Sequence, residues 1–91
     1  MPGACRVTQD LYLTGVIVGP GAPTVLVNGK PVSVEGDQIA SHGSAPHAKA
    51  TVVKGSTTVR AMMKGITLQG VSPATCAHVP STGSLNVQVG P

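Results

Sequence analysis

Gly21-Ala-Pro-Thr-Val-Leu-Val-Asn-Gly-Lys-Pro-Val-Ser-Val-Glu-Gly-Asp37 is the stretch whose reading decides the fold. Asn28-Gly29 stands between two short runs of aliphatic residues. A two-residue hairpin loop needs positive φ at both central positions, which Asn and Gly adopt at least cost. The turn then sets Val27 against Lys30 and Val25 against Val32. Alternation along the strands places Val25, Val27, Val32 and Val34 on one face, and Leu26 and Ser33 on the other. Such a hairpin covers a small core with its aliphatic face.

The same pattern returns down the chain. A shift of 34 lays Gly21-Ala-Pro-Thr-Val over Gly55-Ser-Thr-Thr-Val59, Lys30 over Lys64, Val32 and Val34 over Ile66 and Leu68, Gly36 over Gly70, and His42 over Cys76. A third, truncated copy opens at Gly83-Ser-Leu-Asn-Val87. Two and a half copies in 91 residues suit a compact, pseudo-symmetric domain spanning residues 1–91, because an open solenoid of this size lacks room for caps.

Composition points the same way. There are fourteen Val, one Tyr, and no Phe or Trp, so the domain is expected to be thin and built of small side chains. Twelve Gly and eight Pro leave no Gly/Pro-free run longer than eleven residues. Both residues are costly inside helices, so the expected class is all-β. At 9.0 kDa the scaling of surface with mass gives roughly 4,900 Å² folded against about 13,000 Å² extended, a marginal core that calls for a staple.

The net charge of +3 comes from singly scattered Lys and Arg with no basic run and no interleaved aromatics. That argues against a nucleic-acid footprint. No charged n-region with an apolar h-region opens the sequence, and no window approaches a membrane span, so export by a cleaved leader is not expected.

Strands are expected at Leu11–Val18, at Thr51–Lys54 and at Leu85–Val89, the last with Leu85, Val87 and Val89 on one face. Gln38–Ala50 and Val71–Gly83 read as loops. The second hairpin is expected at Thr57–Met63 and Ile66–Gln69, turning near Lys64-Gly65. Asp10 and Asp37 sit at corresponding turns, where Asp commonly bonds backbone amides.

All three histidines and one cysteine fall in the two long loops: His42, His47, Cys76 and His78. In Cys76-Ala77-His78 the spacing places both side chains on one side of an extended backbone. One thiolate and three imidazoles suit Zn²⁺ held tetrahedrally, a closed shell and therefore a structural site. Cys5 reads as a small buried hydrophobe at the chain start, though it can also replace a ligand or pair with Cys76. There is no nucleophile elbow, phosphate loop, dinucleotide fingerprint or His-Glu-x-x-His. Neither an enzyme nor a small-molecule substrate is expected. Cys76 with His78 as nucleophile and base, and a free-standing zinc-binding interaction or redox-sensitive module, are the competing classes.

The motif from Gly21 to Gly43, with the later Cys/His pair, resembles the PAAR-repeat proteins, the spike-tip proteins of contractile injection machines such as type VI secretion systems and phage tails. The resemblance covers nearly the whole chain. It implies a small cone of pseudo-threefold β-hairpins with a zinc near its apex. It also implies one tip seated per trimeric β-helical spike protein, transient contact with a target membrane, assembly in the cytoplasm, and delivery outside by the machine. The Pro-Ala-Ala-Arg signature is altered to Gly3-Ala4-Cys5-Arg6 and Pro31-Val32-Ser33-Val34. Thr14 stands where relatives often carry histidine, and Val71 where Asp is expected. This divergence leans toward a phage or phage-like particle.

Overall fold

A computed structural model describes residues 2–12, 15–41, 50–76, 78–85 and 87–89. Among them the secondary structure is entirely β. The strands are β1 (Leu11–Tyr12), β2 (Gly15–Gly19), β3 (Ala22–Val27), β4 (Lys30–Val32), β5 (Gln38–Ile39), β6 (Arg60–Ala61) and β7 (Lys64–Gly65). They form an antiparallel sheet in the order β1-β2-β5 and two hairpins, β3-β4 and β6-β7. The accessible surface is 4639 Å², close to the roughly 4,900 Å² expected from mass alone.

Short ladders are joined by bonds between segments far apart in sequence. The amide of Cys5 donates to the carbonyl of Thr67, that of Thr67 to Ser33, and that of Ser33 back to Cys5, each at 2.9 Å. The ring closes on itself. Isolated bridges Ala4–Leu68, Arg6–Val32 and Val34–Ile66 flank it, so each of three segments pairs with both of the others. One step outward, Val7 donates to Pro31, Glu35 to Gly65 and Gln69 to Gly3, at 2.9, 3.0 and 2.9 Å. Backbone polarity at the centre of the molecule is thereby satisfied without a long sheet. Cys5, Ser33 and Thr67 are fully buried, and the two hydroxyls share a 2.9 Å hydrogen bond.

Apolar packing divides at this ring. Ala4, Ala22, Val27, Val32, Val34, Ala61, Ile66 and Leu68 form one cluster, with Val89 packed against it. Cys5, Val7, Tyr12, Ile17, Ile39, Ala50, Val52, Ala74 and Cys76 form the other. Glycine permits the close approaches that the ring demands. A Cβ on Gly21 would lie 2.7 Å from the Val32 carbonyl oxygen, and one on Gly55 2.3 Å from that of Gly65.

The Asn28-Gly29 turn forms as the sequence predicts, with φ of 53° and 81° and Val27 opposite Lys30. The next pair does not follow. Val32 faces Ala22, because the register shifts between Ala22 and Leu26 and the intervening residues swing outward. Val25 is therefore exposed, while Val27, Val32 and Val34 are buried. The second hairpin turns at Met62-Met63 and not at Lys64-Gly65, with Arg60 opposite Gly65 and Ala61 opposite Lys64. Met62 and Met63 adopt φ of 51° and 68°, a left-handed conformation that costs an ordinary L-residue roughly 1–2 kcal/mol.

Leu11–Val18 doubles back, with Leu11 opposite Val16 and Tyr12 opposite Gly15, instead of running as one strand. The expected loop 38–50 is laddered at its ends, Ile39 donating to Ala50 at 2.9 Å. The C-terminal stretch is bridged only at Gln88, to Gly3, among the described residues. Leu85 is 93% exposed there, so it does not share a face with Val89. The N-terminal segment closes against this stretch, Ala4 donating to Val87, Ser84 to Ala4 and Val89 to Pro2.

Polar side chains lock the segments together. Asp10 is buried and accepts from the Arg6 amide at 2.7 Å, from Arg6 Nε at 2.8 Å and Nη2 at 3.1 Å, and from Thr82 Oγ1 at 2.8 Å. Asp37 accepts from the Val34 and Gly21 amides at 2.9 and 3.0 Å. At the third such turn Ser72 Oγ takes the Leu68 amide at 2.8 Å, the place where sequence put Val71. Glu35 accepts from the amides of Gly55 and Gly65, at 2.9 and 3.1 Å, and these bonds hold its pKa below the usual carboxylate value.

Two outcomes are expected. Arg6→Ala leaves the Asp10 carboxylate buried without its cation and should cost roughly 3–5 kcal/mol of unfolding free energy in urea. Glu35 is depressed in the folded state, so its stabilisation is present above the unfolded carboxylate pKa and is lost as pH falls through the lower folded value. Thermal melts should therefore show an acid-side loss of stability that Glu35→Gln makes shallower, with a lower melting temperature at neutral pH.

Candidate metal centre

The four residues that sequence reading nominates divide into two described and two outside the described residues. His42 and His47 belong to the latter. Cys76 and His78 are carried by the turn that follows the Val52–Ala74 bridge. This turn is held by its own backbone, with the Ala74 amide donating to the His78 carbonyl at 2.9 Å. It is also tied to the preceding segment. Thr75 donates its amide to the Thr51 carbonyl at 2.9 Å, and Thr51 returns its amide to Thr75 Oγ1 at 3.2 Å. Thr51 lies one residue from Ala50, where the described chain resumes after the stretch containing both other histidines. Cys76 thus sits beside the base of that stretch.

The Cys76 side chain is 5% exposed and belongs to the cluster of Tyr12, Ile39, Ala50, Val52 and Ala74. His78 is partly exposed. Beneath them, the buried Tyr12 hydroxyl donates to the Ser72 carbonyl at 2.8 Å. Burial pushes the Tyr12 pKa up, and the Cys5 and Cys76 sulfurs nearby raise it further. Tyr12 therefore serves as a neutral donor that braces the segment leading into the turn.

Cys5 lies apart in chemistry. It is a fully buried thiol, with Sγ donating to the Thr82 carbonyl at 3.5 Å. Burial, and then the charge of Asp10, push its pKa well up. A thiol held protonated is neither a good ligand nor a nucleophile. Its position in the central ring makes it a packing residue, as expected of a small apolar side chain. Cys76 is also a thiol, so no Cys5–Cys76 bridge forms.

Among the described residues no group of three or more His, Cys, Asp or Glu is placed to hold a metal. The two donor types on this turn, a sulfur and an imidazole, suit Zn²⁺ better than a hard cation. A cavity of about 240 Å³ elsewhere is lined by Lys54, Gly55, Thr57, Leu68, Val71 and Pro73. It contains neither Cys76 nor His78. Tyr12 and Ser72 carried no local signal beyond Tyr12 being the chain's single aromatic residue.

Among the described residues no helix is long and apolar enough to cross a membrane. Compared with known proteins, the chain matches no family model and no curated protein.

Tyr12→Phe keeps the ring but strands the buried Ser72 carbonyl. It should lower stability by about 1–2 kcal/mol, measured by urea denaturation.

Proposed function

We propose that the protein is a structural, non-enzymatic spike tip that caps a trimeric β-helical spike of a contractile injection machine and sharpens it for piercing a membrane. The observation that carries this reading is the cyclic hydrogen-bond ring of Cys5, Ser33 and Thr67. In this reading the domain is three copies of one hairpin unit about a pseudo-threefold axis, tapering toward a zinc site. The N-terminal segment supplies the half that the truncated third copy lacks.

Several features support it. Thr8, Gly36 and Gly70 each lie three residues beyond a ring member and have φ of 62°, 86° and 71°. Their amides donate to Ile17, Val52 and Pro80 respectively. Val25, Val59 and Val87, at corresponding places in the three copies, are 37, 38 and 36% exposed. A single chain with three similar sides can meet a threefold partner without two of them being mismatched. The described residues also include a buried thiol and a histidine on one turn, next to the stretch that carries the other two histidines.

Cys76, His78, His42 and His47 would hold the zinc, which when bound would supply bonds in place of hydrophobic packing where the domain narrows. The chain's part is to present the donors: the Thr51–Thr75 bonds fix one turn against the other segment, and Tyr12 braces it from below. The same site in a free-standing zinc module is the alternative. It predicts partner binding with no threefold requirement.

Purified protein should carry about one zinc per chain by elemental analysis. Cys76→Ser and His78→Ala should lose the metal and melt at lower temperature, and a trimeric spike protein from the same source should be retained at one tip per trimer. A metal-free protein with a reactive Cys76, or a protein that ignores the spike, overturns the reading.

A further inference from the structure

Three turns of the same build follow the three ring segments. In each, an amide donates back three residues, Gln9 to Arg6, Asp37 to Val34 and Val71 to Leu68, at 3.4, 3.2 and 3.2 Å. The first two turns carry an aspartate that reaches across to the start of a copy of the repeat. Asp10 accepts from Thr82 Oγ1, one residue before Gly83, and Asp37 accepts from the amide of Gly21. The third turn carries Val71 and Ser72 at the corresponding places. Ser72 Oγ takes the Leu68 amide, as the aspartates take the amides of Arg6 and Val34. A hydroxyl, however, has one oxygen where a carboxylate has two.

The cavity of about 240 Å³ opens at this third place. Lys54, Gly55 and Thr57 line it from the start of the second copy, where Lys54-Gly55 corresponds to Thr82-Gly83, and Leu68, Val71 and Pro73 line it from the turn. Lys54 is exposed and Val71 is half exposed, so the recess communicates with solvent. The Gly55 amide is committed to Glu35, which leaves the lysine as the charged group for a ligand to meet. Among the described residues Lys54 is in no ion pair. Glu35 is the acid nearby, and it feels the charges of both Arg60 and Lys54, so cations outnumber acids here. Charge alone holds little at an exposed lysine, so a ligand needs apolar contact as well. A cavity of about 150 Å³ accommodates benzene; one of about 240 Å³ admits a short aliphatic body together with its carboxylate.

We propose that this recess binds a small aliphatic carboxylate, its charged end on Lys54 and its body against Leu68, Val71 and Pro73. The ligand takes from outside the place that Asp10 and Asp37 fill from within in the other two turns. The proposal stands apart from the spike-tip reading.

The test is an amide chemical-shift titration of ¹⁵N-labelled protein with pentanoate, using pentanamide and inorganic sulfate as controls. Expected are saturable shifts at Gly55 and Val71 with a Kd on the order of millimolar, as suits so small a ligand. Lys54→Met should weaken pentanoate about threefold, the scale of one exposed ion pair, and leave pentanamide unchanged. Val71→Asp supplies the missing carboxylate from the chain itself and should abolish saturable binding without lowering the melting temperature. Pentanamide binding as tightly as pentanoate overturns the carboxylate. Sulfate binding as tightly overturns the site as an adventitious ion only. Shifts that never saturate overturn it outright, as does a Val71→Asp protein that keeps wild-type affinity.

Discussion

Three backbone hydrogen bonds, from Cys5 to Thr67, Thr67 to Ser33 and Ser33 to Cys5, hold the rest of the molecule in place. Without aromatic anchors beyond Tyr12, the chain cannot rely on a thick core. It relies instead on segments so short that each must use both edges. Segments 4–6, 32–34 and 66–68 each bond to two neighbours, and no edge is left open between them. The apolar clusters then need only be thin, one on each side of the ring.

Carboxylates extend this logic to the periphery. Asp10 and Asp37 fold their oxygens over backbone amides of their own turns and also reach other segments, Thr82 and Gly21 respectively. Glu35 joins the first hairpin's strand to Gly55 and Gly65. All three acids of the chain are thus occupied in holding loops.

Much of the fold was legible because local chemistry declared it. Asn28-Gly29 announces a tight turn whatever surrounds it. Asp10 and Asp37 bond amides within four residues. Val25 was misread because nothing in alternating Val-Leu-Val discloses the register shift that turns it outward. Met62-Met63 was missed for a related reason: methionine carries no turn signal, although the shift of 34 from Asn28-Gly29 lands on it. The Glu35 clamp depends on partners 20 and 30 residues away and had no sequence signature. Of the candidate site, Cys76 and His78 fall on one well-anchored turn, while His42 and His47 lie outside the described residues. Tyr12 and Ser72, which brace that turn, act through a contact 60 residues long.

The closed ring has a kinetic corollary. Its members are brought together across chain separations of tens of residues, so loop closure must be endured twice before the last bond rewards it, and a slow, topology-limited folding reaction follows. No pair of segments retains both its edges when the third departs. The amide protons of Cys5, Ser33 and Thr67 should therefore trade with deuterated solvent only when the whole molecule opens, while those of the outer hairpin tips trade through local fraying.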